Sequence, residues 1–183
     1  MDIRIKKTKR SIINAFLELR SRKPLEKVTV KELCEKAEIN KSTFYTHFTD
    51  VYDLSDQLED DVIQQVIAAL PHPEYALNQP RQFTEELFIA FRSQSVKINS
   101  LFSGSQRGNF IEKLNTTLRK LIFSIYPQYQ NDTFENIYLD YAIFGGYYAM
   151  INNKDCEEML IIDALGTMTE KGVEVLKNRK INA

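Results

Sequence analysis

Seven consecutive residues, Lys41 to His47, place an amine, three aliphatic hydroxyls, a phenol and an imidazole on one short stretch. Read as a helix, the segment sends Phe44 and Phe48, four residues apart, to one side and leaves Lys41, Ser42, Thr43, Tyr45, Thr46 and His47 mostly outside. Such a surface donates hydrogen bonds. The residues available for bond-making chemistry are few: the chain has two histidines and two cysteines. No triad arrangement, metal-spaced cluster or dinucleotide fingerprint accompanies them, so neither an enzyme nor a metal or other cofactor is expected. Cys34 and Cys156 read as plain small buried or half-buried residues. The glycines of SGSQRGN, residues 103–109, have no preceding strand and no following Lys-Ser/Thr pair, which argues against a phosphate loop.

The elements that must hold the polar stretch are equally local. Val30, Leu33, Cys34 and Ala37 line one face of a preceding helix, and Thr29 with Glu32 forms a capping box at its start. Ile39 packs inward from the turn, Asn40 caps the helix KSTFYTHF, and Asp50 caps a third helix with Asp53 in its first turn. Together these make a helix-turn-helix unit whose second helix would enter a DNA major groove.

TVKELCEKAEINKSTFYTHFTDVYDL, with the aromatic pair in FYTHF, resembles the DNA-binding domain of TetR/AcrR-type transcriptional regulators. The resemblance implies that Thr29 caps its helix against a phosphate, that Lys41 and Thr43 sit at the entering end of the recognition helix, and that Tyr45 and His47 reach backbone or base edges. Two positions depart from the family pattern. Glu38 stands where the family usually has a turn glycine, and Val51 where it usually has a phosphate-binding lysine. The candidate DNA-contacting set is Thr29, Lys31, Lys41, Ser42, Thr43, Tyr45, Thr46 and His47. Within it, Thr29 and Tyr45 suit phosphate, and Lys41, Ser42, Thr43, Thr46 and His47 suit base readout.

Charge supports this division. Residues 1–48 hold twelve Lys and Arg against six Asp and Glu, whereas residues 49–183 hold twelve against nineteen. A basic head on an acidic body suits a first quarter that meets a polyanion. The 183-residue chain is 43% hydrophobic, with six glycines and five prolines, and shows long runs of helical periodicity. The expected fold is all-α: an N-terminal three-helix helix-turn-helix domain, then an antiparallel helical bundle, about nine helices in total. The expected domains are residues 1–50, binding DNA, and 51–183, binding an effector and dimerising. No apolar run is long enough to span a membrane and no signal-like segment follows the basic start, so a cytoplasmic location is expected.

In order, RIKKTKR (residues 4–10) reads as a flexible arm and Thr8 to Arg20 as the first helix. Asp50 to about Leu70 forms one long helix joining head to body. PHPEYALNQP breaks it, with His72 on the surface. Further helices are expected over Gln82 to about Leu101, Phe110 to Tyr126, and from a cap at Asn131 or Asp132 through Asn152. The glycine pair Gly145–Gly146 inside that last helix costs about 1 kcal/mol each in propensity, so close approach of a neighbouring helix is expected there. Asp155 with Glu158 reads as the capping box of a final helix, interrupted near Gly172.

The last two helices, about 134–152 and 156–177, carry more apolar surface than a small body can hide, which points to a homodimer through a four-helix bundle. Two recognition helices related by a two-fold axis would read a palindromic operator on double-stranded DNA. The family resemblance further implies a pocket for a small apolar or aromatic effector whose binding releases DNA. Repression is expected over activation, because it needs only occupancy of the promoter. The rival expectation is a dimeric helical protein-interaction module whose DNA-binding head is weakened by Glu38 and Val51.

Overall fold

The computed structural model describes residues 3–181, and among these the chain is all helical. Ten α-helices follow one another: α1 (Ile3–Arg20), α2 (Val30–Ala37), α3 (Lys41–Tyr45), α4 (Val51–Ala68), α5 (Tyr75–Asn78), α6 (Pro80–Ser93), α7 (Ser95–Leu101), α8 (Arg107–Ile125), α9 (Thr133–Asn152) and α10 (Glu158–Ile181). They belong to two compact units, one of residues 1–62 with 95–110, the other of residues 63–94 with 111–183.

In the first unit, Ile12, Ala15 and Phe16 of α1 close over Leu33, Cys34 and Ala37 of α2, with Phe44, Phe48, Leu54 and Leu58 completing the core. The expected flexible arm is instead helix, because α1 already starts at Ile3. Lys and Arg are good helix formers, and nothing between Arg4 and Arg10 breaks or caps a helix. Thr8 even donates its hydroxyl back to the Arg4 carbonyl, at 3.0 Å.

The expected helix from Gln82 to Leu101 is in fact two. α6 ends at Ser93, whose hydroxyl donates to the Ala90 carbonyl at 2.6 Å, and Gln94 leaves the helical region at φ −108°, ψ 6°. Beyond the break, α7 buries Ile98 and Leu101 in the first unit beside α1. Arg20, almost wholly buried, fastens this segment: its guanidinium donates to the Leu101 carbonyl (2.8 Å), to Ser103 Oγ (3.1 Å) and to the Lys23 carbonyl (3.0 Å). Ser105 donates to the Glu26 carboxylate nearby. Burial of polar groups is tolerable only with such partners.

The second unit is an antiparallel bundle. Arg81 of α6 reaches Asp163 and Thr167 of α10 while Arg92, eleven residues on, reaches back to Glu158. Arg119 of α8 likewise meets Asn136 and Asp140 of α9. Asp132 caps α9, accepting from the amides of Phe134 and Glu135.

Several local expectations change here. His72 is half-buried rather than a surface residue: its Nδ1 lies 2.9 Å from Glu86 Oε1 and its ring stacks on Tyr75 at 4.5 Å. α10 starts at Glu158, not after a box at Asp155, because the Glu157 carbonyl takes the first amides and Asp155 lies in the preceding turn. It runs unbroken through Gly172, where a Cβ would fall 2.3 Å from the Tyr138 ring. The close helix approach expected at Gly145 and Gly146 is made at Gly172 instead; a Cβ at either member of the pair meets nothing within 4 Å. Cys34 is buried, but Cys156 is exposed.

Candidate nucleic-acid interface

Two caps and one turn set the site. Thr29 Oγ1 accepts the Glu32 amide at 3.3 Å, while the Glu32 carboxylate takes the Thr29 amide and hydroxyl at 3.2 and 2.9 Å, so α2 starts on a complete capping box. At its end Glu38 turns left-handed, φ 55°, with its amide bonded back to Glu35 and that of Ile39 to Cys34. That pair of bonds is a Schellman motif, which normally favours glycine at the left-handed position. Here it forms around glutamate, with Ile39 half-buried behind it.

Asn40 then opens α3. Its Oδ1 accepts the Thr43 amide at 2.8 Å and both the Ser42 and Thr43 hydroxyls at 2.7 Å. α3 closes at Tyr45, and Thr46 to Phe48 form a tighter last turn still bonded to the carbonyls of residues 42–44. Phe44 and Phe48 point inward, 5.8 Å apart between ring centroids.

The candidate side chains fall into groups. Lys41, Ser42, Tyr45 and Thr46 are exposed, two pairs four residues apart on one face of α3. Tyr45, 56% exposed, rests edge-on against Phe44 at 5.5 Å and leaves its hydroxyl outward. Thr43 and His47 are half-buried at the flanks. Ser42, Thr43 and Thr46 donate their hydroxyl hydrogens inside the helix, Thr46 to the Thr43 carbonyl at 2.7 Å, so a DNA partner meets their oxygens first as acceptors. Thr29 and Lys31 lie apart from this face, the one capping α2 and the other on its first turn; Lys31 is exposed and only loosely opposed by Glu35 at 3.9 Å.

The corner between α3 and α4 adds what sequence reading misses. Asp50 Oδ1 caps α4 through the Tyr52 and Asp53 amides, and the Asp53 carboxylate takes the Thr49 amide at 2.7 Å. That backbone bond, with Gln57 and the positive charge of Lys9 nearby, holds the Asp53 carboxyl below its ordinary range. Val51 is buried, which accounts for an apolar residue at the first position of α4. A cation stands at this corner all the same: Lys9 Nζ lies over the Phe48 ring, 5.5 Å from its centroid. Lys9 continues the α1 stripe through Ile12 and Phe16, at steps of three and four, past the end of the core. The signal for it is an apolar stripe that ends in lysine, but its position over Phe48 is legible only from the fold.

Residues 12–57, which span α1 from Ile12 to the second turn of α4, match the family described as Bacterial regulatory proteins, tetR family. No curated protein matches the chain. Among the described residues no helix is long and apolar enough to cross a membrane, and no group of three or more His, Cys, Asp or Glu could hold a metal ion. With its capped helix-turn-helix, the segment of residues 12–57 belongs to the tetR family of DNA-binding bacterial regulatory proteins.

Proposed function

We propose that the protein works as a homodimeric repressor that reads a palindromic operator through two copies of α3 and is released by a small-molecule effector. The observation that carries this reading is an uncovered apolar stripe on the last two helices. Phe134, Ile137, Tyr141 and Tyr148 of α9 are 36 to 71% exposed and share one face at steps of three, four and seven. Gly145, with nothing within 4 Å of an added Cβ, sits in that stripe between Tyr141 and Tyr148. Leu160, Met168 and Val175 extend the apolar surface along α10, each more than half exposed. A stripe this long facing water is costly, and a second copy across a two-fold axis would bury it as a four-helix bundle. The small residue within it would let the partner helix come close.

On DNA, Lys41 would reach base edges as the one cation at the start of α3, with Ser42, Thr43, Thr46 and His47 around it. Tyr45 would position the strand through its phenol. Thr29 and Lys31 would meet the flanking backbone, and Lys9 would supply at the α3–α4 corner the phosphate contact that Val51 cannot. Release requires an effector that prefers the DNA-incompetent dimer, by about 1 to 3 kcal/mol of coupling. The second unit has a cavity suited to such a ligand.

Sedimentation equilibrium on the wild type and on Tyr141→Glu tests the assembly. A dimer that becomes a folded monomer, with loss of two-half-site protection on DNA, is the expected result. A wild-type monomer, or a Tyr141→Glu dimer of unchanged affinity, contradicts it.

A further inference from the structure

Between α6, α8, α9 and α10 the second unit holds a half-open cavity of about 120 Å³, walled by side chains such as Phe83, Phe88, Leu118, Ile143, Tyr147 and Met150. None of the residues lining it is Asp, Glu, Lys, Arg or His. Four hydroxyl side chains border it, and three of them are spent on backbone carbonyls: Thr84 on Pro80 (2.9 Å), Tyr138 on Thr169 (3.0 Å) and Thr169 on Leu165 (2.8 Å).

Two glycines bear on this cavity. Gly146 lines it and leaves open the space its side chain would fill, at a cost to helix propensity that no packing inside the chain offsets. Gly172 makes room for the Tyr138 ring, which forms part of the wall. Burial pushes the Tyr138 phenol above its ordinary range, so this wall stays neutral.

An apolar cavity of about 150 Å³ stays dry and takes up benzene. A charged ligand here would lose its hydration with no charged side chain on the lining to replace it. We propose that the cavity binds an uncharged, largely apolar molecule, one ring with short substituents, and rejects charged molecules of the same shape. This rests on reading the second unit as the effector-binding part, but ligand binding and DNA release are separately measurable.

The test uses the full chain with three probes of matched size, ethylbenzene, benzylammonium and benzoate, followed by calorimetry and thermal unfolding. Saturable binding of ethylbenzene with a raised melting temperature is expected, with the two ions weaker by about a hundredfold or more. Gly146→Leu should fill the cavity and abolish ethylbenzene binding without loss of helical content; Ala142→Leu, on the same wall, provides a second such variant. Failure of ethylbenzene to bind, equal binding of either ion, or undiminished binding in a folded Gly146→Leu or Ala142→Leu protein overturns the proposal. Ethylbenzene that binds without releasing operator DNA supports the ligand class and overturns the effector reading instead.

Discussion

Glu38 holds φ 55° where a side chain costs about 1 to 2 kcal/mol, and it does so because the Schellman bonds and the inward-facing Ile39 on either side leave the chain no other course. The turn between α2 and α3 is therefore intact despite the missing glycine, at the expense of stability rather than geometry. Glu38→Gly should raise the stability of the head by about 1 kcal/mol, read as a higher denaturant midpoint, with DNA affinity nearly unchanged. A loss of stability would mean that the Glu38 side chain makes a contact worth more than the strain. Most of this residue-scale design was legible in advance. Thr29 with Glu32, Asn40 with Thr43, and Asp50 with Asp53 are caps whose partners lie within four residues, so short spacing alone identifies them. Lys9 was not legible, since its neighbour Phe48 is 39 residues away and only the fold joins them.

At the scale of elements, the head is held by helices whose ends are tied by carboxylates. The Lys23 ammonium holds Glu32 below its ordinary range, Lys36 does the same for Glu18, and the Thr49 amide for Asp53. A carboxyl that ionises more easily in the folded state stabilises that state above its unfolded pKa, near 4, and the contribution is lost as pH falls through the lower folded value. Glu18 is exposed and Glu32 and Asp53 are half-buried at the surface, so each effect is small and screened by salt. The expected result is stability insensitive to these groups from pH 7 to about 5 and a decline below about 4, followed by circular dichroism in denaturant, with Asp53→Asn showing a shallower decline. Stability that rises between pH 5 and 3 would contradict the assignment. Where elements begin and end was less legible than their existence. The split at Gln94 follows from where Ile98 and Leu101 find burial, and α1 extends to Ile3 because basic residues tolerate a helix as readily as a coil. The split has no local signal; the extension has one, a run of good helix formers without a breaker.

For the whole molecule, the basic head and acidic body, the helix-turn-helix and the uncovered stripe on α9 and α10 are the features on which the proposed two-fold reading of DNA rests. The excess of apolar surface on the last two helices could be read from composition and periodicity. Its division into an outward stripe through Tyr141 and Gly145 and an inward cavity beside Gly146 could not, because adjacent glycines on a nearly uniformly apolar helix look alike until their surroundings are known. The most direct measurement of the central claim is selection of bound genomic fragments by the purified protein, followed by affinity for the selected site as a function of salt. A palindromic site should emerge, bound with a steep inverse salt dependence. Lys41→Ala should cost about 1 to 3 kcal/mol and relax sequence preference, while Lys9→Ala should weaken all sequences alike and lower the salt slope by about one per head. If no site is enriched even at low salt, or if folded, dimeric Lys41→Ala binds the selected site as tightly and as selectively as the wild type, the account of α3 as the reading element is wrong.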